Sequence, residues 1–160
     1  MKLITPTRPN LLLVDDDKDD CLYFKEALEE LPIMTSLVTI NNGEQLMSLL
    51  NNKAVGPPAD QILFLDLNMP RKNGFEVLSE IMLDNSLKEL PIIIFSTSFE
   101  QDIVNMSYKN GAHYYIRKPT NFSQLKRVIY QALMLATVEN MIRPEKENFV
   151  LNGDLGGIQL

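Results

Sequence analysis

Four apolar runs in this chain stop on residues that can do chemistry. Asn10–Val14 ends at Asp15, Asp16 and Asp17; Gln61–Leu65 ends at Asp66; Pro91–Phe95 ends at Ser96 and Thr97; and Ala112–Ile116 ends at Arg117 and Lys118. Carboxylates gathered without partners repel one another, so Asp15, Asp16 and Asp66 brought to one place call for a cation. With oxygen ligands only, and no His or Cys beside them, a hard ion is favoured, Mg²⁺ or Mn²⁺ over zinc. Asp66 follows four apolar residues and precedes the strand-breaking Asn68-Met69-Pro70. A carboxylate there is a metal ligand, a nucleophile toward an incoming phosphoryl group, or a cap on the next turn. Lys118 either pairs with these acids and offers a point charge to a phosphoryl oxygen, or is an exposed loop residue. Its bond to Pro119 is a candidate for the cis form. Asp19 and Asp20 fit a solvated helix start, where the macrodipole favours acids.

These residues share an edge only if the apolar runs lie side by side. The runs are continuously hydrophobic, as in strands covered on both faces, and Leu37–Ile40 is a shorter candidate for a sheet edge. Between them lie stripes at helical spacing: Leu22, Ala27, Leu28 and Leu31; Leu46, Leu49 and Leu50; Val77, Leu78 and Ile81; and, more weakly, Ile103, Val104 and Met106. The clearest is Phe122, Leu125, Val128, Ile129, Ala132, Leu133 and Ala136, with Asn121 and Gln124 placed as an N-cap and its third-residue partner. Strand and helix alternating five times predict a doubly wound α/β fold, in which ligands bind beyond the carboxyl ends of the strands.

At 160 residues the chain has room for one domain with a tail. A net charge of −6 gives no basic field for nucleic acid or an anionic membrane, and no run reaches the ~18 apolar residues of a membrane span. Cys21 is the single cysteine, which excludes an internal disulfide and a Cys-rich zinc site. The chain reads as soluble and cytoplasmic. Asn51–Asp60 reads as a surface loop, and 139–160, with Pro144, three Gly and no clear period, as a loosely held tail with room for a short docked piece. His113, the only histidine, reads as a strand residue.

Taken together, Val14-Asp15-Asp16, Leu65-Asp66-Leu67-Asn68-Met69-Pro70 with Gly74, Ser96, and Lys118-Pro119 resemble the receiver domain of two-component response regulators. The phrase from Asn68 to Gly74 and the triplet Ser96-Thr97-Ser98 resemble the stand-alone receivers associated with phytochrome-type kinases. The resemblance implies a flavodoxin-like five-stranded parallel sheet in the order 2-1-3-4-5. It divides the chain into an extension at 1–9, a receiver domain at 10–137 and a tail at 138–160 without an output domain. It makes Asp66 the acceptor of a phosphoryl group from a histidine kinase or phosphotransfer protein. It gives Mg²⁺ the ligands Asp16, Asp66 and the main-chain carbonyl of Asn68, with Asp15 acting through a bound water. Ser96 and Lys118 would meet phosphoryl oxygens, and Ser96 with Tyr115 would form the conformational switch. The face built from the fourth helix, fifth strand and fifth helix would meet a downstream protein, and a homodimer, which the tail could help to form, is left open.

Two rival readings use the same residues. A haloacid-dehalogenase-type phosphohydrolase also has an Asp nucleophile at a strand end, but wants a second Asp two residues on, where this chain has Asn68. A receiver-like adaptor that works without phosphorylation would not need Asp15, Asp16, Asp66, Ser96 and Lys118 all in place. The expectation is therefore a phospho-accepting switch and not an enzyme with turnover on a free substrate. For Tyr115 the alternative is an edge-strand aromatic packed on the last helix.

Overall fold

The computed structural model describes residues 8–52, 61–136 and 143–160. Most of the N-terminal extension, residues 53–60 of the expected surface loop and the first residues of the tail lie outside these. Strands and helices alternate: β1 (Asn10–Val14), α1 (Lys18–Glu29), β2 (Ser36–Ile40), α2 (Gly43–Leu50), β3 (Gln61–Leu65), α3 (Gly74–Leu83), β4 (Ile92–Ser96), α4 (Gln101–Lys109), β5 (Tyr114–Arg117) and α5 (Phe122–Ala136). The sheet is parallel, in the order β2-β1-β3-β4-β5. Among the described residues no helix is long and apolar enough to cross a membrane.

Side chains alternate across each strand, so the apolar runs feed two cores. Leu11, Leu13, Phe64, Ile93, Phe95 and Ile116 face α1 and α5, where Phe24 meets Phe64 and Phe95 edge-on at 5.0 and 5.4 Å between ring centroids. Leu12, Val14, Leu63, Leu65, Ile92, Ile94 and Tyr115 form the other core with residues of α2, α3 and α4. Helix starts follow local chemistry: Asp17, Asn42 and Asn73 each cap a helix with a side-chain oxygen.

Several expectations need correcting. Leu22 is 55% exposed, and α1 buries Cys21, Phe24, Ala27 and Leu28 instead. Leu49 and Met106 are likewise exposed. Asn121 caps α5 by accepting from the Gln124 N–H at 3.0 Å, but the Gln124 side chain donates to the carbonyl of Asn152 instead of closing a capping box. The Lys118–Pro119 bond is trans, the lower-energy form, and Lys118 still reaches the acids. His113 lies just before β5: its main-chain N–H donates to Ile92 O and its Nδ1 accepts from Ile92 N–H.

The tail, expected to be loosely held with room for a short docked piece, docks along β5. The Tyr115 N–H donates to Phe149 O at 3.0 Å, and the Leu151 N–H donates to Tyr115 O at 2.9 Å, a parallel bridge at Val150. Phe149 is buried in one core and Leu151 in the other. One bridge and two anchors show no period in sequence, which is why the docking is not legible there.

Candidate functional site

Strand register delivers the site. Val14 pairs with Leu65, so Asp15 and Asp66 leave adjacent strands at the same level. Ser96 pairs with Arg117, which places Lys118 one residue beyond the hydroxyl. Main-chain bonds fix the ends: Asp15 N–H to Ile40 O, Asp66 N–H to Val14 O, and Lys118 N–H to Ser96 O at 2.8 Å.

Asp15, Asp16 and Asp66 each offer an oxygen, all within 4.8 Å of one another. Asp15 and Asp66 are buried and Asp16 is exposed, so the cluster has a floor and an open side. Burial pushes the Asp66 carboxyl up to about 6, and the charge of Asp15 adds to this, against the attraction of Lys118. Clustered oxygen donors with one open side suit a hard divalent cation, whose charge would offset the repulsion among the acids.

Lys118 is the resident counter-charge. Its Nζ lies 2.7 Å from Asp15 Oδ2, 2.8 Å from Asp20 Oδ2 and 3.6 Å from Asp66 Oδ2, with the Phe95 ring 5.5 Å away. Burial alone would lower its pKa, but the bonds to Asp15 and Asp20 and the charge of Asp66 outweigh burial and hold it raised. Asp20 therefore joins the cluster and is more than a solvated helix residue, while Asp19 stays exposed. The available signal is position: Asp20 lies in the first turn of the helix that starts from the site.

Ser96 and Thr97, adjacent in sequence, part here. Ser96 is fully buried and Thr97 is exposed. Ser96 Oγ accepts from Asn68 Nδ2 at 3.3 Å and from the Ser98 N–H at 3.2 Å, and Asn68 Nδ2 also reaches Ser98 Oγ at 3.0 Å. Nothing in the sequence pattern foretells this bridge by the Asn68 side chain. The Asn68 N–H donates to Asp66 Oδ1 at 3.2 Å. Gly74 keeps the loop tight, because a Cβ there would stand 2.5 Å from Asp66 O and 2.8 Å from Leu67 Cα.

Tyr115 is buried, and its hydroxyl donates to the carbonyl of Ser98, two residues past Ser96. The rings of Phe99 and Phe149 lie 6.5 and 6.2 Å from it. His113 stands away from the acids, its pKa lowered to about 4 by burial and then by Arg143. It is a neutral acceptor within the fold. Cys21 donates weakly to Asp15 O, and burial with the nearby Asp15 charge pushes its thiol up to about 11, so it stays protonated.

The chain is similar to known proteins over most of its length. Residues 11–130 match the model of the response regulator receiver domain. Response regulator Rcp1 of Synechocystis is 32% identical over 121 residues, 74% of this chain and 82% of its own. The probable methanogenesis regulatory protein FilR2 of Methanothrix harundinacea is 28% identical, covering 74% and 77% of the two chains. Among solved structures, the phosphorylated cyanobacterial phytochrome response regulator RcpA superposes with a TM-score of 0.69 at 32% identity, over 78% of this chain and 91% of that one. The Mn²⁺-bound form of Rcp1 gives 0.70 at 31% identity, over 82% and 97%. With the fold, the strand order and the family model in agreement, the chain belongs to the response regulator receiver domain family.

Proposed function

We propose that Asp66 accepts a phosphoryl group from a histidine kinase or histidine phosphotransfer protein, and that the chain signals through the resulting change of shape. The observation that carries this reading is the convergence of Asp15, Asp16 and Asp66 on one small volume, with Lys118 Nζ among them. In the transfer an Asp66 carboxylate oxygen forms a bond to phosphorus as the bond from phosphorus to the donor nitrogen breaks, and the electron pair leaves with the donor imidazole. Asp66 reacts as the carboxylate, which Lys118 favours. Lys118 supplies a fixed positive charge to one phosphoryl oxygen and Ser96 a hydroxyl to another, so that charge is met by groups already in place. A Mg²⁺ ion, or Mn²⁺, held by Asp16, Asp66 and the Asn68 carbonyl, with Asp15 acting through water, would supply charge neutralisation when bound.

Asn68 has an amide where a phosphohydrolase would have its second carboxylate, and that amide is engaged with Ser96 and Ser98. It offers no acid or base to hydrolyse the acyl phosphate, which favours a persisting signal over turnover. In this reading 10–137 is the receiver domain, 1–9 an extension and 138–160 a tail. The partner surface is the α4–β5–α5 face, and the protein works in the cytoplasm. Ser96 and Tyr115 are the switch: the added charge of about −1.5 to −2 on Asp66 draws the Ser96 hydroxyl, and the Tyr115 ring, already buried and bonded to Ser98 O, is held in its inward position.

The test is intact mass after incubation with Mg²⁺ and acetyl phosphate. One phosphate adduct on the wild type, absent from Asp66→Asn and from a chelator-treated control, is the expected outcome. No adduct, under conditions that modify another receiver, would overturn the proposal.

A further inference from the structure

The segment from Arg143 to Leu155 lies along β5 and against both helices that flank it. On the α4 side, Arg143 stacks on the Tyr108 ring at 4.2 Å and donates to Tyr108 O, Tyr108 donates to Pro144 O at 3.1 Å, and Phe149 meets Tyr108 edge-on at 5.1 Å. On the α5 side, Gln124 donates to Asn152 O at 2.6 Å and the Gly153 N–H donates to Gln131 Oε1 at 2.8 Å. In the middle, both main-chain groups of Tyr115 are taken by Phe149 and Leu151. The segment thus occupies the face through which the receiver is proposed to signal, and its central partner is the switch residue itself.

This contact depends on how the Tyr115 ring stands. The ring is fully buried, its hydroxyl is tied to Ser98 O, and Phe149, itself 1% exposed, packs beside it. A ring moved from this position would lose its packing against Phe149, whose ring centroid lies 6.2 Å away. Docking of the segment and the inward ring therefore favour each other, and anything that favours one favours the other by the same factor.

Resting on the switch proposed above, we infer that residues 143–155 form a strap that docks in cis on the inward-Tyr115 state, so that phosphorylation of Asp66 tightens the strap and the strap stabilises the phosphorylated state. The strap decides what a partner meets: a downstream protein of the active state reads the strap together with α4 and α5, and not a bare β5 edge. The coupling falls within the roughly 5–150-fold range usual between linked sites.

The experiment uses the full chain with Mg²⁺ and beryllium fluoride as the phosphoryl mimic, its attachment at Asp66 followed by fluorine NMR. Amide exchange is measured on peptides spanning 149–155, with and without the mimic, over a range of protein concentrations. The expected result is exchange slowed by about tenfold when the mimic binds, independent of protein concentration. Phe149→Ala should then weaken mimic binding by the same factor, and Arg143→Gln, an exposed change, should do so in part. Mimic bound at Asp66 with unchanged tail exchange would refute the strap while leaving the switch intact. Protection that grows with protein concentration would place the segment on a second copy and refute docking in cis. Failure of the mimic to bind Asp66 would remove the switch, and the strap coupling with it.

Discussion

Acidification from pH 7 to pH 5 should cost the fold about 2 kcal/mol through one buried imidazole. His113 is 8% exposed, its Nδ1 accepts from the Ile92 N–H at 3.0 Å, and burial, then Arg143, lowers its pKa to about 4 from 6.5. A histidine with a depressed folded pKa binds fewer protons folded than unfolded between those two values. The stability it supports is present above pH 6.5 and is lost as pH falls toward 4. Each tenfold difference in proton affinity between the folded and unfolded chain is worth about 1.4 kcal/mol, and integrating over the part of the window between pH 7 and pH 5 gives about 2 kcal/mol. Asp66, raised to about 6, works in the opposite sense, because a carboxyl easier to protonate when folded gains stability on acidification. A comparison of two chains removes that shared contribution. Urea unfolding of wild type and His113→Asn, in chelator, should give a stability difference that moves against the wild type by about 2 kcal/mol on going from pH 7 to pH 5. Asn keeps an acceptor for Ile92 but does not titrate. Parallel curves for the two proteins would show that His113 is not held neutral, and would refute burial as the source of the pH dependence.

Three further outcomes follow from the site. Lys118→Met leaves Asp15 buried without its counter-charge and should cost about 3 kcal/mol in urea unfolding, partly restored by Mg²⁺; unchanged stability would mean the ion pairs contribute nothing net. Gly74→Ala drives a Cβ against the Asp66 carbonyl and Leu67 Cα, and should destabilise by about 1–3 kcal/mol while slowing acyl phosphate formation; wild-type rates would show that the loop yields freely. Asp16→Asn alters an exposed residue, so metal-free stability should stay within about 0.5 kcal/mol of wild type while the rise in thermal midpoint on adding Mg²⁺ shrinks. An undiminished rise would remove Asp16 from the metal ligands.

Much of the site is legible in the sequence because it sits where strands end. Asn10–Val14 and Gln61–Leu65 have the same bounds in sequence and structure, and the polar residue after each is the one at the sheet edge. Bounds slip where a turn is itself apolar: β4 begins at Ile92, after Pro91, and β5 at Tyr114, after Ala112 and His113. The α1 stripe misleads at Leu22 because the sheet takes the arc through Cys21, Phe24 and Leu28, and periodicity alone does not say which arc faces inward. Asp20 is hidden by a sufficient local explanation, since any acid suits a helix start. The tail is hidden for a different reason: its anchors, Phe149 and Leu151, are two residues in a stretch whose value lies in a distant strand edge.

That edge has a consequence beyond signalling. A parallel sheet has two rims of unpaired main-chain groups, each a template on which another chain can add and begin to aggregate. At one rim, β2 is largely polar or exposed, with Ser36 and Thr39 facing water. At the other, β5 is rich in aromatic residues, and the tail covers it at Tyr115. Loss of residues 143–155 would then leave the main-chain groups of Tyr115 on an aromatic strand edge open to pairing with another chain.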